Sequence, residues 1–188
     1  MEPTNKQCVR HMREILAIFS RIDADTKEQG RAWYREEHDS LLIIAREARQ
    51  PVRTVCACLA VLSPRCQWRR AKEALALVLA GRRPAGIFTR SVKKARRILT
   101  ATSGIPINPR TAPKTWAFWR NLWRPCDPEP VTLDSWMFDA HGLPKNSGLR
   151  SYETLAEAYR TLAPELGLIP NQLQATVWLH IKERARHG

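Results

Sequence analysis

Eleven consecutive residues, Val52–Leu62, are nearly all apolar and lie between Pro51 and Ser63-Pro64. A run this apolar is expected in a core, and its length suits about three helical turns. Proline suits a first helical turn and breaks a helix interior, so the two prolines mark its ends. The rest of the chain must then supply elements that cover a buried central helix.

The flanking segments have the pattern that such cover needs. Val9, Met12, Ile15, Leu16 and Phe19 recur at three- and four-residue spacing, which predicts a helix over 4–21. Asp25 or Thr26 is placed to cap a second helix through Arg49, with Trp33, Leu41, Leu42 and Ile44 on its apolar face. Further helices are expected at 67–80, stopped by Gly81, and from Thr89 or Ser91 to Leu99. Thr111 can cap a helix that carries Pro113 and Lys114 in its first turn and runs to Trp123. Asp134 stands at an N-cap position before 135–140, and segments 151–163 and 170–186 close the chain. No segment alternates as a strand would, and no internal repeat occurs. The expected class is all-α, with about nine helices joined by short links. At 188 residues and 44% hydrophobic content, one globular domain over 1–188 is expected.

No segment approaches the roughly 18 consecutive apolar residues of a membrane span. The first residues lack a signal core, so a cytoplasmic location is expected. Cys8, Cys56, Cys58, Cys66 and Cys126 are odd in number and several lie in apolar helical contexts, which fits reduced thiols. Cys56 and Cys58 fall about 200° apart on a helix, a poor arrangement for one ion. No metal and no cofactor is expected.

Charge narrows the partner. Residues 48–126 hold 17 of the 31 Lys and Arg but only one acidic residue, Glu73. That concentration is an electrostatic footprint for a polyanion, and DNA is the expected partner. No protein partner is indicated. At the end of this stretch, Lys114 precedes Asp134 by twenty positions. Four of the seven tryptophans, Trp116, Trp119, Trp123 and Trp136, lie in the same region. The first three share helical spacing, so packing is their default role.

Four motifs occur in an order that resembles the helix-hairpin-helix (HhH-GPD, endonuclease III-like) DNA glycosylase superfamily. Val61-Leu62-Ser63-Pro64-Arg65-Cys66-Gln67 resembles its Leu-Leu-Ser-x-Gln segment. Val92-Lys93-Lys94-Ala95-Arg96-Arg97-Ile98-Leu99 resembles its Lys-Ala-x-x-Ile helix, and Ala112-Pro113-Lys114-Thr115-Trp116-Ala117 the end of its hairpin. Val131-Thr132-Leu133-Asp134-Ser135-Trp136 resembles the segment carrying its catalytic aspartate. The resemblance covers about 52–140 and implies a two-lobed fold with a cleft, the terminal helices completing the second lobe. The hairpin's Gly-Val-Gly is replaced by Asn108-Pro109-Arg110-Thr111, and Trp136 replaces a histidine. No cysteine follows Cys126, which excludes the C-terminal iron–sulfur cluster of many relatives.

The resemblance implies an enzyme that extrudes a modified or damaged base from a duplex and cleaves or substitutes at it. Asp134 would stabilise positive charge on the sugar or activate water. Lys114 would attack C1′ and add lyase activity. Arg65 would fill the gap left by the base, with Gln67 and Trp68 close by, and Trp136 would wall the base pocket. Lys93, Lys94, Arg96, Arg110 and Thr111 would meet phosphate. Some phage-associated members of this superfamily process hypermodified thymine, and a DNA-binding module without chemistry is a further alternative. Gln172, Gln174 and Trp178 are placed to approach the same site. Glu36, Glu37 and His38 read as an exposed face, and His141 as a helix end.

Overall fold

The computed structural model describes residues 3–144 and 147–187 and is all-α. Nine helices occur among the described residues: α1 Pro3–Phe19, α2 Ala24–Glu47, α3 Val52–Leu62, α4 Trp68–Leu79, α5 Thr89–Leu99, α6 Pro113–Trp123, α7 Ser135–Ala140, α8 Leu149–Glu165 and α9 Pro170–His187. No strand occurs among the described residues. None of their helices is long and apolar enough to cross a membrane.

The chain divides into two compact units. One is Glu37–Trp123; the other joins the residues up to Glu36 with those from Arg124 onward. The division falls inside α2.

In the Glu37–Trp123 unit, α3 is the central element and packs on α4, α5 and α6. Thr54–Leu62 are all buried, as the apolar run requires. The partners contribute Leu75 and Val78 from α4, Ala95 and Ile98 from α5, and Ala117 and Leu122 from α6. Trp119 donates its indole N–H to the Arg53 carbonyl at 3.0 Å and stacks on Trp123 at 5.6 Å between centroids. Its packing role follows the spacing. Glu37 and His38 depart from the exposed face expected of them. Glu37 accepts from the Trp68 indole at 2.7 Å and pairs with Lys72, while His38 donates to the Leu122 carbonyl at 2.8 Å. Sequence periodicity places a residue on a helix face but does not say which polar group comes to meet it.

The second unit packs α1 on α8, α8 on α9, and α7 on α9. Ile15, Leu133, Met137, Leu155, Tyr159 and Leu173 form its core. The N-cap of α2 is Asp23, not Asp25 or Thr26. Its carboxylate accepts from the Thr26 N–H at 2.7 Å and from the Thr26 hydroxyl at 2.8 Å. These bonds hold the Asp23 carboxyl below its ordinary range. Helix α8 runs past the expected end at residue 163 to Glu165, with Pro164 in its last turn.

All five cysteines are free. Burial pushes the Cys56 and Cys58 thiols up to about 12, so both are protonated packing groups.

Candidate functional site

Asp134 is mounted at the start of α7. Its backbone is extended, at φ −101° and ψ −177°, and its Oδ1 accepts from the N–H groups of Trp136 at 3.0 Å and Met137 at 3.1 Å. This is the N-cap that the sequence indicates. A second tie comes from α9, where the Trp178 indole N–H donates to Oδ2 at 3.0 Å. A carboxylate offers about four acceptor positions, so three donors fix its plane and leave about one free. Asp134 remains partly exposed.

The two tryptophans that donate to it, Trp136 and Trp178, are both met by the same amine. Trp136 is 40% exposed, an unusual state for the largest side chain. Lys182 Nζ lies 4.6 Å from the Trp136 ring centre and 5.9 Å from that of Trp178. Both distances are within cation–π reach. Trp33 of α2 leans on Trp178 at 6.0 Å. Tyr34 donates to Gln174 at 3.0 Å, and Gln172 donates to the Arg31 carbonyl at 3.2 Å, so both glutamines tie α9 to α2. The sequence assigns Trp33 to the apolar face of α2 and does not single out Lys182. The four-residue spacing of Trp178 and Lys182 on α9 was the available signal.

The Glu37–Trp123 unit carries a separate basic pocket of about 310 Å³. Arg90, Lys94 and Arg97 line it together with Asn108, Thr111 and Thr115. Positions 90, 94 and 97 fall on one face of α5. Ser91, Val92, Ala95 and Ile98 are buried, and Ser91 and Ile98 form part of the pocket floor. Of the expected phosphate contacts, Lys94 and Thr111 join this pocket. Lys93 is exposed and does not line it. Arg96 turns toward the end of α4, reaching the carbonyls of Gly81 at 3.4 Å and Arg82 at 3.5 Å. Arg110 is exposed beside an Asn108 turn that accepts its N–H at 2.8 Å. Arg90, missed in the sequence, sits with its guanidinium 5.2 Å from the exposed Phe88 ring.

The remaining expected residues also lie in this unit. Arg65 is exposed and held at φ 55°, a left-handed conformation that costs a non-glycine residue about 1 kcal/mol or more. Gln67 is exposed at the N-cap of α4 and makes no side-chain capping bond. Trp68 packs against Phe118 at 5.7 Å while its N–H bonds Glu37, so it braces the helices around it. Lys114 is partly exposed in the first turn of α6.

An all-helical chain with a doubly tied aspartate and a basic pocket is the class that these features define. Residues 2–185 match the model of a family of unknown function, DUF7178, and the chain belongs to that family. No curated protein and no solved structure matches it.

Proposed function

We propose that this protein processes a base in DNA, as an N-glycosylase-like enzyme with Asp134 as its central carboxylate and the helix-hairpin-helix glycosylase fold that its motifs imply. The observation that carries the reading is the mounting of Asp134. Three donors fix the carboxylate, and one of them is the N–H of Trp136, whose side chain is exposed. Breaking an N-glycosidic bond builds positive charge on the sugar, and a preorganised carboxylate stabilises that charge without reorganising. An extruded base needs an aromatic face to stack on, which Trp136 offers.

The basic face of α5 suits the backbone of the same substrate. Arg90, Lys94 and Arg97 present three cations around a pocket that also has Thr111 and Asn108 as polar partners. Neutralising phosphates there releases counterions and gives sequence-independent affinity. Arg65, held exposed in a left-handed turn, supports the wedge role. Lys114 would be the nucleophile of a lyase step, with water activated by Asp134 as the alternative.

One observation favours a second reading, a DNA-binding module without chemistry. Two of the three bonds to Asp134 are the ordinary bonds of a helix cap. The readings separate on duplexes each carrying one oxidised, alkylated, deaminated or hypermodified base. An enzyme releases at least one of these bases, and Asp134→Asn abolishes release. Release that survives Asp134→Asn removes the catalytic assignment, whereas DNA binding without release from any duplex leaves the binding module. Borohydride trapping tests Lys114. An adduct lost in Lys114→Ala supports the amine as nucleophile, and its absence assigns the step to water.

A further inference from the structure

The unit that carries Asp134 holds a second cluster that the proposed chemistry does not use. His11 and Glu14 lie one turn apart on α1, and His141 is the C-cap of α7. Glu14 Oε2 is 2.9 Å from His11 Nδ1 and 3.5 Å from His141 Nδ1. One ligand atom from each of the three side chains lies within 4.8 Å of the others. Ligands at about 2.0–2.2 Å from a tetrahedral zinc ion are about 3.3 Å apart, so the two separations from Glu14 are close to those of a coordination shell.

His141 supplies an independent indication. Its side chain is fully buried, yet Nδ1 has no hydrogen-bond partner among the described residues. Its other nitrogen, Nε2, lies 3.2 Å from the hydroxyl of Tyr159, whose side chain is also fully buried. In the tautomer that can coordinate through Nδ1, Nε2–H donates to that oxygen and the Nδ1 lone pair faces the Glu14 carboxylate. A cation between these two acceptors satisfies both, the role that the opposite tautomer fills without metal by turning Nδ1–H toward Glu14. The Tyr159 contact is the outer-sphere bond that commonly orients a ligating imidazole. Glu14 Oε1 accepts from the exposed Arg10 at 2.7 Å, leaving Oε2 directed at the two histidines.

We propose that His11, Glu14 and His141 bind one divalent cation of the zinc class, fastening α1 to the end of α7. Two imidazoles and one carboxylate suit a borderline ion better than a hard one such as magnesium. Glu14 is 29% exposed, which gives the ion a path of entry and a fourth position for water.

The test uses the full chain stripped with a chelator and then titrated with zinc against a chromophoric competitor. The expected result is one equivalent bound, with a melting temperature raised by about 5 °C or more when the site is saturated. Cobalt in place of zinc should give visible ligand-field bands without the intense thiolate charge transfer that adventitious cysteine binding produces. Glu14→Gln keeps the size and helical setting of the side chain but removes the anionic donor, and should weaken binding at least about tenfold. His141→Ala should do the same, and circular dichroism of both metal-free variants checks their folding. Absence of saturable binding, a thiolate cobalt spectrum, or undiminished affinity in a folded Glu14→Gln would overturn the site.

Discussion

The indole N–H of Trp178 donates to Asp134 Oδ2 at 3.0 Å, joining α9 to the first turn of α7 across 44 residues of chain. The other carboxylate oxygen caps α7, so one side chain sets both the start of a helix and the position of the helix packed on it. Removing the carboxylate should therefore cost stability even if it has no chemical role. Asp134→Ala is expected to lose about 1–2 kcal/mol in urea denaturation, from the cap and the orphaned indole donor. Asp134→Asn keeps an oxygen for the cap but turns an amide N–H₂ toward Trp178, so its loss should be smaller. A catalytic role predicts that the nearly stable Asp134→Asn loses base release completely. Equal retention of stability and release would contradict it.

The basic face of α5 makes a prediction about salt. Arg90, Lys94 and Arg97 line one pocket, whereas Arg96 reaches the carbonyls at the end of α4. Replacing Arg90, Lys94 or Arg97 with Ala should weaken DNA binding and lower the slope of log affinity against log salt by about 0.9 for each phosphate no longer neutralised. Arg96→Ala should leave that slope nearly unchanged and reduce thermal stability slightly. Fluorescence anisotropy with an unmodified duplex at several salt concentrations checks both. An unchanged slope in all three pocket variants would mean that DNA is held elsewhere.

The thiols should separate by burial. Cys126 is exposed and should react rapidly with Ellman's reagent in the native protein. Cys56 and Cys58 are buried and should react only at the rate of unfolding. Burial raises both thiols to about 12, while in the unfolded chain they ionise near their ordinary value of 9.0. Between those values the unfolded chain binds fewer protons than the folded one. Their contribution is thus complete below about pH 9 and is lost as pH rises toward about 12. Urea midpoints measured from neutral to alkaline pH should fall through that window, and less steeply in Cys58→Ala once its cavity cost is subtracted.

Gly30 marks a close crossing of α2 and α9. A Cβ built there would overlap the backbone and the hydroxyl of Thr176, which itself donates to the Gln172 carbonyl at 2.8 Å. Backbone cannot rotate away as a side chain can, so Gly30→Ala should destabilise by at least about 1–3 kcal/mol despite its better helix propensity. The melting temperature should drop by about 2–4 °C for each kcal/mol. By contrast, a Cβ at Gly86 would meet only the mobile end of Arg70, though the positive φ of 68° adds backbone strain there.

Much of the helical framework was legible in the chain itself, because its causes are local. The apolar run between Pro51 and Ser63-Pro64 became α3 with the bounds that it indicated. Asp134 caps α7 because the bonds it makes reach only two and three residues along the chain. Even the error at the start of α2 was short-range, with Asp23 replacing its neighbours as the cap. Tertiary structure decided which polar groups meet. Trp178 and Lys182 gather near Trp136, Glu37 receives Trp68, and His141 comes to His11 and Glu14. Each of these pairings depends on how helices distant in sequence pack, and a 3.6-residue period specifies the buried face of a helix without naming its partner. A polar side chain on such a face takes its role from whatever group the packing delivers.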